Sequence, residues 1–160
     1  MKILWDLQAR HKGFFAPSIG QIDVVSSHLA DEAVGRNIDN LTIVTDAKGE
    51  FCDLELYLTP NNRSTVPQEA FSVRSPDSFL QTNLKSRKVN RWFFDQESGY
   101  LSIGLTDSPP DNWIGSEGQG LAIGTNPRSE LTGIVFWGIE EDLYSRLQAD
   151  WLKSLEDSRS

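Results

Sequence analysis

Residues 40–58 read NLTIVTDAKGEFCDLELYL, and this stretch decides the fold. Apolar and polar side chains alternate from Asn40 to Thr45 and again from Phe51 to Leu58, as in strands with one buried face. Between the two runs lies Asp46-Ala-Lys-Gly49, where Gly49 can take a positive φ. The stretch therefore predicts a β-hairpin. Its second strand is expected to bury Cys52, Leu54, Leu56 and Leu58. The opposite face is expected to carry Phe51, Asp53, Glu55 and Tyr57.

The same plan recurs about 80 residues later. A shift of 80 aligns Leu41 with Leu121 and Asp46 with Asn126, and residues 21–25 align with 100–104 after a shift of 79. The near-constant offset favours a duplication, although two alternating hairpins will align at some offset in any chain. We divide the 160 residues, as a single domain, into a first β repeat (14–58), a basic linker (59–91), a second β repeat (92–138) and a C-terminal helix (139–157).

The linker and the helix are predicted from turn residues and periodicity. Prolines and small polar residues punctuate the linker, with a short helix near residues 77–84. In the C-terminal segment the apolar residues fall every four positions, which indicates an amphipathic helix with acidic residues 140–142 in its first turn. These apolar residues are Leu143, Leu147, Trp151 and Leu155. Because residues 134–137 are apolar on both faces, we expect the helix to cover the second repeat. The predicted class is α+β, mostly β: two similar antiparallel β-meanders packed together with a C-terminal amphipathic helix.

The second repeat resembles a known family. Its pattern is Phe94-Asp95, Leu101-x-Ile103-x-Leu105, Leu121-x-Ile123 and Leu131-x-Gly133-Ile134-x-Phe136. This pattern is similar to that of the YuzE-like small bacterial domains, best over residues 92–137. Residues 14–58 would be a diverged second copy, in which Asp53 replaces the glycine. Since that family is largely uncharacterised, the resemblance implies a fold and no activity.

Composition narrows the classes of function. The net charge of −8 opposes binding to nucleic acid or to anionic membranes, which relies on Lys and Arg. The charge divides unevenly into −4 over residues 1–58, +4 over 59–91 and −8 over 92–160. A single cysteine, Cys52, excludes an internal disulfide, and we expect it to be buried and inert. No apolar run of about 18 residues or signal-like start is present, so a cytoplasmic location without a membrane span is expected.

The chemistry-bearing residues predict no catalytic, cofactor or metal site. Asp23, Asp53 and Glu55 could supply an acid and a base, but no nucleophile is placed beside them. A metal site at His28, Asp31 and Glu32 is disfavoured, because a second histidine at helical spacing is absent. The glycine-rich residues 115–120 do not predict a phosphate loop, because no Lys-Ser or Lys-Thr pair follows them and the next element is a strand and not a helix.

Three surfaces are candidates for binding a partner. The first is the acidic sheet face with Asp23, Asp53, Glu55 and Tyr57, whose alternative is an ordinary solvated face. The second is Trp113 after a Pro-Pro pair, either a rigid anchor on a loop or a ring folded over the core. The third is a basic and aromatic patch for single-stranded nucleic acid, with mutual neutralisation inside the protein as the favoured alternative. Its residues are Lys85, Arg87, Lys88, Arg91 and Trp92 with Phe93 and Phe94.

We therefore expect a non-enzymatic, acidic protein-binding module. Its partner would be a basic protein, such as a toxin domain masked by an immunity protein or antitoxin. One alternative is a small hydrolase or ligand-binding protein that uses the acidic face. Another is a structural homodimer formed through open sheet edges, so that both monomer and homodimer remain open.

Overall fold

A computed structural model describes residues 1–28, 32–70, 79–143 and 145–159. The elements in chain order are β1 (Lys2–Asp6), β2 (His11–Ala16), β3 (Gln21–Ser26), β4 (Ala33–Ile38), β5 (Leu41–Asp46), β6 (Phe51–Tyr57), β7 (Phe79–Asn83), β8 (Arg91–Asp95), β9 (Tyr100–Gly104), β10 (Asn112–Ser116), β11 (Leu121–Thr125), β12 (Leu131–Phe136), β13 (Glu140–Glu141) and α1 (Arg146–Arg159). Short 3-10 turns occur at Pro60–Asn62 and Glu117–Gln119. This confirms the predicted α+β, mostly β class with a C-terminal helix. Within the described residues, no helix combines the length and apolar character needed to cross a membrane.

The two larger sheets share an order of five strands, to which the first sheet adds β13. The first runs β13-β2-β3-β6-β5-β4 and the second runs β8-β9-β12-β11-β10, while β1 and β7 form a separate pair. Corresponding strands of the two larger sheets begin 79 or 80 residues apart. Each sheet contains a hairpin, β2-β3 or β8-β9, followed along the chain by a three-stranded meander, β4-β5-β6 or β10-β11-β12. The last strand of the meander pairs with the second strand of the hairpin. The duplication hypothesis predicts such an arrangement.

A β-bulge in each copy alters the predicted alternation. Thr45 pairs with Phe51 and Val44 with Asp53, so Cys52 is the extra residue of a bulge. Phe51 was predicted on the outer face, but the bulge turns it inward to stack on Trp5, with ring centroids 4.6 Å apart. Cys52 is 7% exposed, as expected, but it lies outside the core cluster that contains its neighbours. Thr132 occupies the same bulge position in the second copy.

The core lies between the two larger sheets and is closed by the β1 and β7 pair. One continuous cluster joins Leu54 and Leu56 of the first sheet to Ile103 and Ile134 of the second. Trp5 on β1 is fully buried, and its Nε1 donates to Thr82 Oγ1 on β7 at 2.9 Å. The indole hydrogen bond therefore links β1 to β7 inside an apolar environment.

The predicted linker contains structure that periodicity missed. The short helix predicted near residues 77–84 is wrong over Phe79–Asn83, which form β7 and pair with β1. Its first two residues, 77 and 78, lie outside the described part of the chain. These residues form a strand and not a helix because the edge of β1 is available for antiparallel pairing.

The C-terminal helix begins later than predicted. Gly138 has φ +76°, Glu140–Glu141 run parallel to β2, and α1 starts only at Arg146. The first turn holds no acidic residue; instead, the Asp142 carboxylate accepts hydrogen bonds from the amides of Leu147 and Gln148. Along the predicted stripe, Leu143 and Leu147 are exposed and only Leu155 is buried.

The expected position of α1 over the second repeat is also wrong. In the segment before the helix, the Asp142 amide donates a hydrogen bond to the Phe15 carbonyl on β2. This contact places α1 against the first sheet. The Trp151 and Phe14 rings lie 6.4 Å apart. The outer face of the second sheet is covered instead by chain segments around Gln68 and Pro110.

Candidate functional site

The three predicted carboxylates converge on the outer face of the first sheet. Asp23 on β3 lies directly opposite Glu55 on β6, and Asp53 lies two residues from Glu55 on the same face. Asp53 is flanked across the strands by Val25 and Val44. The alternation of residues thus brings together the acids that the sequence analysis singled out.

Asp53 is the most perturbed of the three. Its Oδ1 is buried and has no hydrogen-bond partner among the described residues. Burial, and after it the nearby charges of Asp23 and Glu55, raise the pKa of Asp53 from 3.8 to about 7. A carboxyl that is half-protonated near neutral pH can donate or accept a proton, which is a property found often at functional sites.

The other two carboxyls are also harder to ionise than usual. Burial raises the pKa of Asp23, although Gln21 and Gln148 donate hydrogen bonds to it. Burial and the charge of Asp23 raise the pKa of Glu55. Because Gln148 belongs to α1, the helix lies over this face, and the face is less open than the sequence suggested.

The equivalent face of the second sheet carries none of the three acids. Ser102, Gly133 and Val135 stand at the positions that correspond to Asp23, Asp53 and Glu55. A Cβ on Gly133 would lie 2.9 Å from Pro110 Cγ and 3.0 Å from the Trp113 ring, so glycine allows both to pack there. Trp113 lies in β10 and is only 5% exposed. Of its two interpretations, the structure shows the ring packed into the protein and not the exposed anchor.

A groove on the second sheet was missed by the sequence analysis. It has a volume of about 440 Å³, an aromatic floor of Phe93, Tyr100 and Trp137, and Glu69 and Asp95 among its lining residues. Pro67, Ala70 and Ser98 also line the groove. The Tyr100 and Trp137 rings meet edge to face at 6.0 Å, and Tyr100 Oη donates to the Gln68 carbonyl at 2.6 Å. Burial and the nearby Glu69 raise the pKa of Tyr100 to about 12, so this phenol keeps its proton.

Sequence alternation could have found two of the lining residues. Phe93 lies between the buried Trp92 and the core-packed Phe94, and Tyr100 precedes the buried Leu101, so both lie on the outer face. The segment that carries Glu69 has no periodic pattern. Among the described residues, none of the side chains that line the groove is basic. The arrangement of aromatic faces beside carboxylates is suited to a cation.

The predicted basic and aromatic patch is not one surface. Trp92 is buried and donates its indole N–H to the Thr59 carbonyl. Lys85 pairs with Glu130 at 3.8 Å, and Arg91 donates to the Asp107 carbonyl at 3.3 Å. The Lys85–Glu130 pair fits the alternative of internal neutralisation, whereas Arg91 contacts an uncharged carbonyl.

The residues around His28 form a different group from the one considered in the sequence. Asp31 lies outside the described residues, and Glu32 is exposed. His28 instead contacts Asp46 and Glu50, which follow it by 18 and 22 positions. Burial, and after it the charges of Asp46, Glu50 and Asp53, raise the pKa of the nearby Cys52 thiol to about 11. The cysteine is therefore a protonated, buried thiol.

Comparison of the chain with protein-family models, with curated proteins and with solved structures finds no match. The resemblance to YuzE-like domains stays a prediction.

Proposed function

We propose that the chain is a non-enzymatic binding module for a basic protein partner in the cytoplasm, in the manner of an immunity protein or antitoxin that masks a toxin domain. The observation that carries the proposal is the groove on the second sheet, with its three aromatic side chains and two carboxylates. The net charge of −8 adds a long-range attraction for such a partner.

The expected occupant is a lysine or arginine side chain of the partner. A cation over an aromatic face is stabilised by about 0.5–1 kcal/mol at an exposed site. Glu69 and Asp95 would each add a screened ion pair of similar size. Contacts of this strength give specificity and fast association, and the binding should weaken as salt rises.

The probe that tests this proposal is a glycine-serine peptide carrying paired lysines, with a paired-glutamate peptide as its counterpart. We expect the lysine peptide alone to bind in calorimetry and to shift the Trp137 indole signal in NMR spectra. The double variant Glu69→Gln/Asp95→Asn should weaken binding about tenfold, which is about 1.4 kcal/mol.

A matched control separates the groove from the overall charge. Asp107→Asn/Glu117→Gln also reduces the net charge from −8 to −6, but it changes exposed residues that do not line the groove. We expect less than a twofold change for this control. Equal weakening by the two double variants, or no binding of the lysine peptide, would refute the groove as the recognition site.

A second candidate function, a small hydrolase or ligand-binding protein, is favoured by Asp53, whose buried Oδ1 has no hydrogen-bond partner among the described residues and whose pKa is about 7. In that case Asp53 would act as a general acid, with Asp23 and Glu55 ionised beside it. A screen of ester and glycoside substrates that gives turnover in the wild type and none in Asp53→Asn would support it. Unchanged turnover in the variant would exclude Asp53.

The homodimer alternative is favoured by β4, which forms one edge of the first sheet. Five of its six residues are exposed, including Val34. Light scattering at high concentration tests it directly: a dimer supports pairing through this edge, and a monomer removes the alternative.

A further inference from the structure

We propose that the chain binds one transition-metal dication, with Zn²⁺ as the best fit, through His28, Asp46 and Glu50. These side chains meet at the end of the first sheet where β6 begins between its neighbours β3 and β5. The site is separate from the groove, so it stands independently of the proposed partner.

The ligand atoms already lie close to a coordination geometry. His28 Nε2 lies 2.9 Å from Asp46 Oδ2 and 3.0 Å from Glu50 Oε2, and all three ligand atoms lie within 4.8 Å of one another. Zinc bound at about 2.0–2.1 Å places neighbouring ligands about 3.3 Å apart in a tetrahedron. Small outward movements of the side chains would therefore admit the ion, and solvent could supply the fourth ligand.

The backbone holds the carboxylates in position. Asp46 Oδ1 accepts hydrogen bonds from the Lys48 amide at 2.8 Å and the Glu50 amide at 2.9 Å. This leaves Oδ2 toward His28. The amide of His28 donates to Ser26 Oγ at 3.1 Å, which fixes the chain as it leaves β3. Outer contacts of this kind orient metal ligands and raise their affinity.

The charge around the three residues favours a cation. The side chains of Asp46 and Glu50 are only 15% and 16% exposed, so a bound dication would relieve carboxylates that water reaches poorly.

The second copy shows that the fold does not require this set of residues. Asn126 occupies the position of Asp46, and its Oδ1 accepts from the amides of Arg128 and Glu130 in the same way. Glu130 corresponds to Glu50, but it pairs with Lys85. An asparagine thus forms the same turn as Asp46. The turn therefore does not explain why position 46 carries a negative charge, whereas a bound cation would. Nitrogen and oxygen ligands together select Zn²⁺ and related ions over Mg²⁺ or Ca²⁺.

The full chain, stripped of metal with a chelator, tests the proposal. We expect calorimetry with zinc chloride to give one equivalent bound, Co²⁺ to give the visible absorption of a low-coordinate site, and zinc to raise the Tm. Asp46→Asn keeps the turn, as the second copy demonstrates, and should weaken zinc binding at least about tenfold. His28→Gln should do the same.

The control is Asn126→Asp, which introduces a carboxylate in the second copy without a histidine. It should leave one equivalent bound with unchanged affinity. The proposal is overturned if the wild type binds no zinc, or if Asp46→Asn and His28→Gln bind it as tightly as the wild type. In the first case His28 is simply an ion-pair partner of the two carboxylates, and in the second the zinc is adventitious.

Discussion

The most informative perturbation is Asp53→Asn, because it removes a buried charge while keeping the size of the side chain. Asp53 lies between Val25 and Val44 on the face beneath α1, and its Oδ1 has no partner among the described residues. In the folded protein, burial followed by the charges of Asp23 and Glu55 raises the pKa of Asp53 from 3.8 to about 7. We expect the variant to be more stable than the wild type at neutral and alkaline pH.

The magnitude follows from proton linkage. A carboxyl whose pKa is higher in the folded than in the unfolded protein takes up a proton on folding, so the protein loses stability as pH rises from 3.8 to about 7. At pH values above about 7, the ionised Asp53 lowers the free energy of unfolding by about 4 kcal/mol. This follows because a tenfold change in the acid dissociation constant corresponds to about 1.4 kcal/mol. The amide of the variant is itself unpaired there at a cost of about 1–3 kcal/mol, which leaves a net gain of about 1–3 kcal/mol.

The assay is urea unfolding of both proteins at pH values between about 5 and 8, followed by tryptophan fluorescence. The difference in unfolding free energy should widen by about 2–3 kcal/mol across this range, because only the wild type ionises Asp53. Asp111→Asn, which changes an exposed carboxylate, is the control for the change in net charge. Its difference from the wild type should stay below about 0.5 kcal/mol. A difference for Asp53→Asn that does not vary with pH, or a loss of stability at pH 8, would refute the buried-charge reasoning.

Three further predictions concern the packing of a glycine, a buried hydrogen bond and the local stability of the C-terminal helix. Gly124→Ala should cost about 1–3 kcal/mol in thermal unfolding, since its Cβ would lie 2.5 Å from Pro110 Cγ, whereas Gly35→Ala, whose nearest neighbour is at 3.7 Å, should cost less than about 1 kcal/mol. Equal losses would show that the close approach of Pro110 is unimportant. Thr82→Val leaves the Trp5 indole N–H unpaired in the core and should cost about 1–3 kcal/mol, while Thr42→Val, which breaks an exposed hydrogen bond, should cost less than about 0.5 kcal/mol. In hydrogen exchange, the amides of α1 should exchange faster than those of β12, because Leu155 is the only buried side chain described within the helix, whereas every residue of β12 is buried; similar protection in both elements would contradict this.

The outcome for individual residues shows how far local patterns reach. Alternation correctly placed Leu54 and Leu56 in the core and brought Asp53 and Glu55 to the opposite face, because side chains of a strand alternate whatever lies around it. The same rule failed for Phe51, since a bulge changes the alternation, and a bulge depends on pairing with β5. The helix stripe predicted an amphipathic segment. It could not identify the sheet that the stripe would meet.

The candidate sites also differ in whether local alternation could predict them. The acidic face was predictable because its residues belong to a few neighbouring strands with regular alternation. The groove and the group around His28 were not, because each joins side chains from segments with no common periodicity. Glu69 reaches the groove from an irregular segment, and His28 meets Asp46 and Glu50 only after β3 and β5 have paired on either side of β6.

The amino-acid sequence by itself therefore determined the strand-rich class, the repeated plan at an offset of about 80 residues and the acidic character. Each of these depends on local spacing and composition, which are properties of the unfolded chain as well. The tertiary structure alone decided which sheet α1 covers, which way Phe51 points and which distant side chains converge. These outcomes depend on strand pairing and on the burial of charge, whose energies are set by neighbours far away in the chain.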